Sequence, residues 1–256
     1  MEDSLKHFEY QQKEQVSVKS SKFIGKVFLY TFIALAITAV VSAVIGLVFS
    51  TAIQPVDYNY NTFVIDTEAM RPYFVLLIVS LAMYFPLIIW IHIICFRGRG
   101  RMGIPFVLYA LVMGVLISSL TMFTPIHLIA ISFGITCGVF GILALIGLTA
   151  KRDLSFLGLV ALGIFLGAMF IGLFNLIWML AFPSTFQSLY WLISFAIFFA
   201  MMLVTIVDVW RVKKLAQAGE QTNNVALYCA FNLYVDFIYM FIRILVFVAR
   251  IAGRSR

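Results

Sequence analysis

The chain has 256 residues, 63% of them hydrophobic and 11% charged, with a net charge of +7. A soluble domain is about half apolar and about a quarter charged, so this composition excludes an ordinary soluble protein. The positive excess does not indicate nucleic acid, because the basic residues stand in short connections between apolar blocks, where they orient a membrane protein.

The first 22 residues are polar and of mixed charge, and lack the apolar core of a cleavable signal peptide. They read as a cytoplasmic tail. Seven apolar blocks follow, each long enough for a membrane-spanning helix. They cover about 23–49, 73–96, 104–123, 125–148, 154–182, 189–212 or a little beyond, and 224–251. The expected fold is an all-α membrane protein with one seven-helix domain over 23–251 and a short basic tail over 252–256. Gly134 with Gly138, and Gly163 with Gly167, form GxxxG pairs that predict close helix packing. Cys95, Cys137 and Cys229 are scattered, make no CxxC site and read as small buried hydrophobes.

Charge sets the predicted orientation. Lys6, Lys13, Lys19, Lys22 and Lys26 precede or open the first helix. Arg97, Arg99 and Arg101 join the second and third, Lys151 and Arg152 the fourth and fifth, and Arg211, Lys213 and Lys214 close the sixth. The alternate connections are acidic or neutral, with Asp57, Asp66 and Glu68 in the first. The N-terminus is therefore predicted in the cytoplasm. Arg250, Arg254 and Arg256 run against this pattern. Either the last helix crosses and its tail is an exception, or it turns back; the earlier loops favour seven crossings. The acidic first connection reads as solvated surface, although it could also concentrate cations at an outer mouth.

The last block carries Asn232, Asp236, Tyr239 and Arg243 at spacings that put all four on one helical stripe. A polar stripe on a membrane helix is expected to face protein or water. Of eleven acids, only Asp208 and Asp236 fall inside apolar blocks. Asp236 lies roughly 18 Å along its helix. If the sixth helix continues to about Gln217, antiparallel neighbours bring Asp208 to a similar depth. Two carboxylates a few ångströms apart do not easily both ionise and titrate as a unit. Such a pair can sense pH, bind a hard cation through oxygen, relay protons, act in hydrolysis, or serve only as hydrogen-bonded packing.

The hydrolytic options lack their motifs. The acids stand in "IVDV" and "YVDF", without the YD and GxGD of intramembrane aspartyl proteases. No GxSG supports a rhomboid-type serine protease, and no lysine after Gln221 supports a retinal Schiff base. His7, His92 and His127 are scattered rather than clustered as zinc ligands; His92 reads as a residue near the inner interface. No enzyme activity and no bound cofactor are expected.

"LYVDFIYMFIRIL" resembles the last-helix signature of the Bax inhibitor family, the transmembrane Bax inhibitor motif proteins. "LGLTAKRDLSFLG", over 146–158, is similar to that family's stretch between helices four and five, and "FVLYALVMGVLISSL", over 106–120, to its third helix. Order and spacing agree from Phe23 to about Leu245, and the likeness is greatest to bacterial members with a calcium-leak activity. The resemblance implies a central last helix surrounded by the other six, a bacterial plasma membrane, and a pH-sensitive leak with Ca²⁺ as the permeant ion. It also implies that the family's aspartate pair falls on Asp208 and Asp236, meeting Ca²⁺ in transit, and that an arginine latching the pair falls on Arg97, with Arg99 and Arg101 near enough to substitute. Asn232, Tyr239 and Arg243 would support the path. On this reading the latch holds the ionised pair shut, partial protonation opens it, and full protonation removes the charge that attracts Ca²⁺. The partners are then the lipid bilayer, Ca²⁺ and protons. The alternative is a non-conducting regulator that binds other membrane proteins, such as proteases or cell-death factors. The chain departs from the family pattern in its longer acidic first connection, its basic tail, Tyr239 where asparagine is usual, and the added charge of Arg243.

Overall fold

A computed structural model describes the backbone of residues 2–49, 53–57, 62–65, 67–97, 100–181, 187–219 and 221–254, and the side chains of 18–49, 67–97, 100–173, 193–219 and 221–253. Arg99, Asp66 and Arg256, and the side chains of Lys6, His7, Lys13, Asp57 and Arg254, lie outside the described residues.

Among the described residues, seven helices run in order: α1 (Glu2–Phe49), α2 (Thr67–Arg97), α3 (Gly103–Thr121), α4 (Ile126–Thr149), α5 (Ser155–Ala181), α6 (Gln187–Ala218) and α7 (Asn223–Arg254). Six of them, α1 to α6, are long and apolar enough to cross a membrane. Two features add to the sequence reading. The polar tail has helical backbone: α1 begins at Glu2 and runs 48 residues without a break. The first connection contains two short antiparallel strands, β1 (Ile53–Asp57) and β2 (Thr62–Ile65), whose valine, isoleucine and phenylalanine content suits extended backbone.

The helices end where their chemistry says they should. Gly219 follows α6 with φ of 82°, and Gly100 turns the α2–α3 connection with φ of 113°; only glycine adopts such values without strain. The Asn224 amide donates to the Gly100 carbonyl at 2.9 Å, tying that turn to the start of α7.

The chain forms two compact units. One comprises 22–130 and 221–234. Within it, α1 and α3 meet at Gly114, where an added Cβ would stand 2.7 Å from Val41 Cβ and 3.0 Å from the Thr38 carbonyl. Hydroxyls satisfy one another across the same interface: Thr38 donates to the Ala110 carbonyl and pairs with the Tyr234 hydroxyl at 2.6 Å, and Ser42 pairs with Thr121 at 2.8 Å. Tyr109, Phe106, Phe231 and Tyr234 pack edge to face around this point. His92 closes the cluster with its ring edge-on to Tyr228 and Phe231 and its Nδ1 2.8 Å from the Ile88 carbonyl, as a packed residue rather than a ligand.

The second unit comprises 1–21, 131–220 and 235–256. Here the GxxxG expectation is corrected. An added Cβ at Gly134, Gly138, Gly163 or Gly167 meets nothing within 4 Å, whereas at Gly147 it meets the Ile206 carbonyl at 2.7 Å. The motif identifies small residues but not which face of the helix a neighbour occupies. Gly134→Ala and Gly163→Ala should therefore leave the fold intact and raise stability by up to about 1 kcal/mol, the helix-propensity difference, measured by unfolding in detergent. The cysteine expectation also divides: Cys229 is buried, Cys95 half-buried and Cys137 exposed.

Candidate functional site

The two acids singled out by counting both lie in the second unit. Helix α6 does continue past Lys214, ending at Ala218. Asp208 stands about three turns before that end and Asp236 about four turns into α7, roughly 15 and 20 Å of helical rise. Their carboxyl groups come near enough to act on each other electrostatically.

The two are held differently. Asp236 is 3% exposed, and the Thr205 hydroxyl reaches its carboxyl. Thr205 is itself anchored to the Met201 carbonyl at 2.9 Å. The second oxygen, Asp236 Oδ2, is buried with no hydrogen-bond partner among the described residues. A buried acceptor without a partner is costly, by about 1–3 kcal/mol or more for a charged group. Native structures tolerate few of these, and each calls for an explanation. The side chain of Asp208 is 12% exposed and forms an ion pair with Arg211 Nη1 at 3.1 Å, the guanidinium being 60% exposed. Asp208 thus links the interior of the unit to its surface.

Two further helices, α4 and α5, frame the pair carried by α6 and α7. Helix α4 lies against α6 at Gly147, whose missing side chain admits the Ile206 carbonyl and Val209, the residues flanking Asp208. Phe140 and Phe133 of α4 pack edge-on against Phe237, next to Asp236. Gly158 of α5 lies 3.9 Å, measured from an added Cβ, from Arg211 Nη2. Toward the other ends of α6 and α7, Arg243 Nη1 stands 3.5 Å from Ser194 Oγ, and Phe195 packs against Phe247. Arg243 is therefore half-buried and directed at α6.

The remaining predicted residues have different surroundings. Asn232 is half-buried, whereas Tyr239 is 43% exposed, so the stripe does not share one environment. Tyr239 is the one exposed side chain of α7 between Ala226 and Val248. Arg97 ends α2 as an exposed residue of the other unit, and Arg101 is also exposed.

Two residues beside the acids did not figure in the sequence reading as site residues. Thr205 and Arg211 stand one turn before and one turn after Asp208 in "TIVDVWR". The signal was available: positions three apart on a helix are neighbours. Arg211 read only as a topology marker because it also belongs to the basic cluster that closes α6.

Among the described residues, no three histidines, cysteines or acids gather to hold a metal. Two carboxylates offer a calcium ion far fewer than the six to eight oxygens it takes when retained.

Comparison with known proteins identifies the family. The model of a family described as "Inhibitor of apoptosis-promoting Bax1" matches residues 20–253. The inner membrane protein YbhL of Escherichia coli (strain K12) is 31% identical over 159 residues, covering 59% of this chain and 62% of that protein. An uncharacterized protein of Borreliella burgdorferi is 27% identical over 146 residues, covering 57% and 62%. The chain thus spans about 62% of the length of each of these relatives. The family match runs through all seven helices, including both aspartates, and this multi-pass membrane protein belongs to the Bax inhibitor family.

Proposed function

We propose that the chain is a pH-sensitive calcium leak in which Asp208 and Asp236 form one proton-sensing, cation-attracting centre. The observation that carries this reading is the buried Asp236 carboxyl with an unpartnered oxygen beside a second acid. Packing alone gives no reason to keep an acid there, whereas ion and proton pathways do. Calcium as the ion follows from the family resemblance. Helix α7 is taken as the seventh crossing and the central helix, and the near-continuous burial of its side chains supports that role. The basic connections support a cytoplasmic N-terminus.

With the pair ionised, an arginine holds Asp208 and the path is shut. One proton weakens that ion pair and favours opening; a second removes the charge that draws Ca²⁺ in. The family resemblance assigns the latch to Arg97, while the ion pair of Asp208 makes Arg211 the first arginine to test. Arg211→Ala should raise leak at high pH by about 1.4- to five-fold, corresponding to the ~0.2–1 kcal/mol of a largely exposed pair. If Arg97→Ala raises it and Arg211→Ala does not, the latch is Arg97.

The family description favours a second reading, a non-conducting regulator of other membrane proteins. Calcium flux through the purified chain in liposomes separates the two. A leak that varies with pH supports the first reading, and no leak at any pH favours the second.

A further inference from the structure

The second unit contains a cleft that the aspartate pair does not use. It measures about 450 Å³ and lies where the α4–α5 connection meets the last turns of α6. Lys151, Arg152 and Asp153 line it from the connection, and Trp210, Lys213 and Lys214 from α6. The α6 residues recur at helical spacing and so share one face.

Four cations against one carboxylate leave the cleft with a net positive charge that suits an anion. Orientation by positive charge explains basic residues in this connection; it does not explain their convergence on one concavity. The cleft is also organised. Lys213 Nζ donates to the Ala150 carbonyl at 2.9 Å, fixing the end of α4 to α6. Lys214 Nζ lies 4.9 Å from the centroid of the buried Trp210 ring, which positions that ammonium by cation–π attraction. Asp153 Oδ1 accepts the Ser155 amide at 2.8 Å at the start of α5. The Ser155 hydroxyl and amide, and the Lys214 charge, hold its carboxyl below the ordinary range, so it caps the helix and offsets one of the four cations. Lys151 and Arg152 remain exposed at the rim.

The position at the ends of apolar helices suits a lipid headgroup. Trp210 belongs to a candidate membrane span, and the basic residues flank the ends of three such spans. Tryptophan and basic side chains take these positions at a membrane surface, and basic pockets between helices receive anionic headgroups. We propose that this cleft binds the phosphate of an anionic phospholipid.

The test uses the full chain in detergent and native mass spectrometry with phosphatidylglycerol, phosphatidylcholine or inorganic phosphate. Phosphatidylglycerol should be retained on the order of ten-fold better than phosphatidylcholine. Arg152→Ala with Lys214→Ala should bring the two lipids near parity, and Arg152→Lys with Lys214→Arg should restore the preference. Lys19→Ala with Lys22→Ala should not change it. The proposal fails if the first pair retains lipid as the unmodified chain does, or if the Lys19/Lys22 pair loses as much. Displacement by millimolar inorganic phosphate, without lipid preference, would assign the cleft to a soluble anion and overturn the lipid assignment. Because the charge-conserving pair keeps both cations, its behaviour separates loss of binding from loss of fold.

Discussion

Gly147→Leu is expected to destabilise the protein by at least ~1–3 kcal/mol, the usual cost of overpacking. An added Cβ would already stand 2.7 Å from the Ile206 carbonyl and 2.8 Å from Val209 Cβ. One of these is backbone and cannot rotate away, so α4 must move off α6. The displaced contacts flank Asp208, so the damage falls at the site itself. Gly138→Leu on the same helix meets open space and serves as the comparison. Unfolding of both variants in detergent checks the claim; equal stability for the two would mean that α4 does not lie against α6 as described.

Asp236→Leu is expected to have the opposite effect on stability and to abolish the pH response. Leucine preserves branching at Cγ while removing both carboxyl oxygens, the one beside Thr205 and the buried one that has no partner among the described residues. An unsatisfied buried polar group costs about 1–3 kcal/mol, and the variant should recover a gain of that order. Thr205 would then border a wholly apolar side chain. Stability gained with function lost is the signature of a residue kept for its chemistry. The check is a paired measurement, unfolding in detergent and leak in liposomes. A variant that is less stable than the unmodified chain would make Asp236 a structural acid.

Much of this was legible in the sequence because the bilayer imposes simple rules. Helix length and apolar composition located α3, α4, α5 and α7 to within a few residues of their observed ends, whereas α2 starts about two turns earlier and α6 runs further than the apolar block suggests. The exception at the start is α1. Its polar N-terminal part has helical backbone but no apolar period to reveal it. The acid pair was legible for a different reason: charges inside apolar blocks are rare, and only two remained to be paired. What stayed hidden depended on facing. Nothing in GxxxG says whether a neighbour lies opposite, so Gly134 and Gly163 were marked while Gly114 and Gly147 were missed. Spacing alone put Asp236 and Tyr239 on one stripe, yet one is buried and the other exposed. Arg211 was concealed by belonging to two patterns at once, a basic helix end and an i, i+3 partner of Asp208. The anion cleft could not be read at all, since Lys151 and Lys214 come together only through the packing of α4, α5 and α6.

The central claim is that Asp208 and Asp236 act as one titrating unit that governs flux. Calcium leak through the purified chain in liposomes, measured across a pH series for the unmodified protein, Asp208→Asn and Asp236→Asn, tests it most directly. The account predicts a pH-dependent leak in the unmodified chain that flattens in each variant, because either substitution dissolves the pair. A pH profile that survives unchanged in both variants would contradict it.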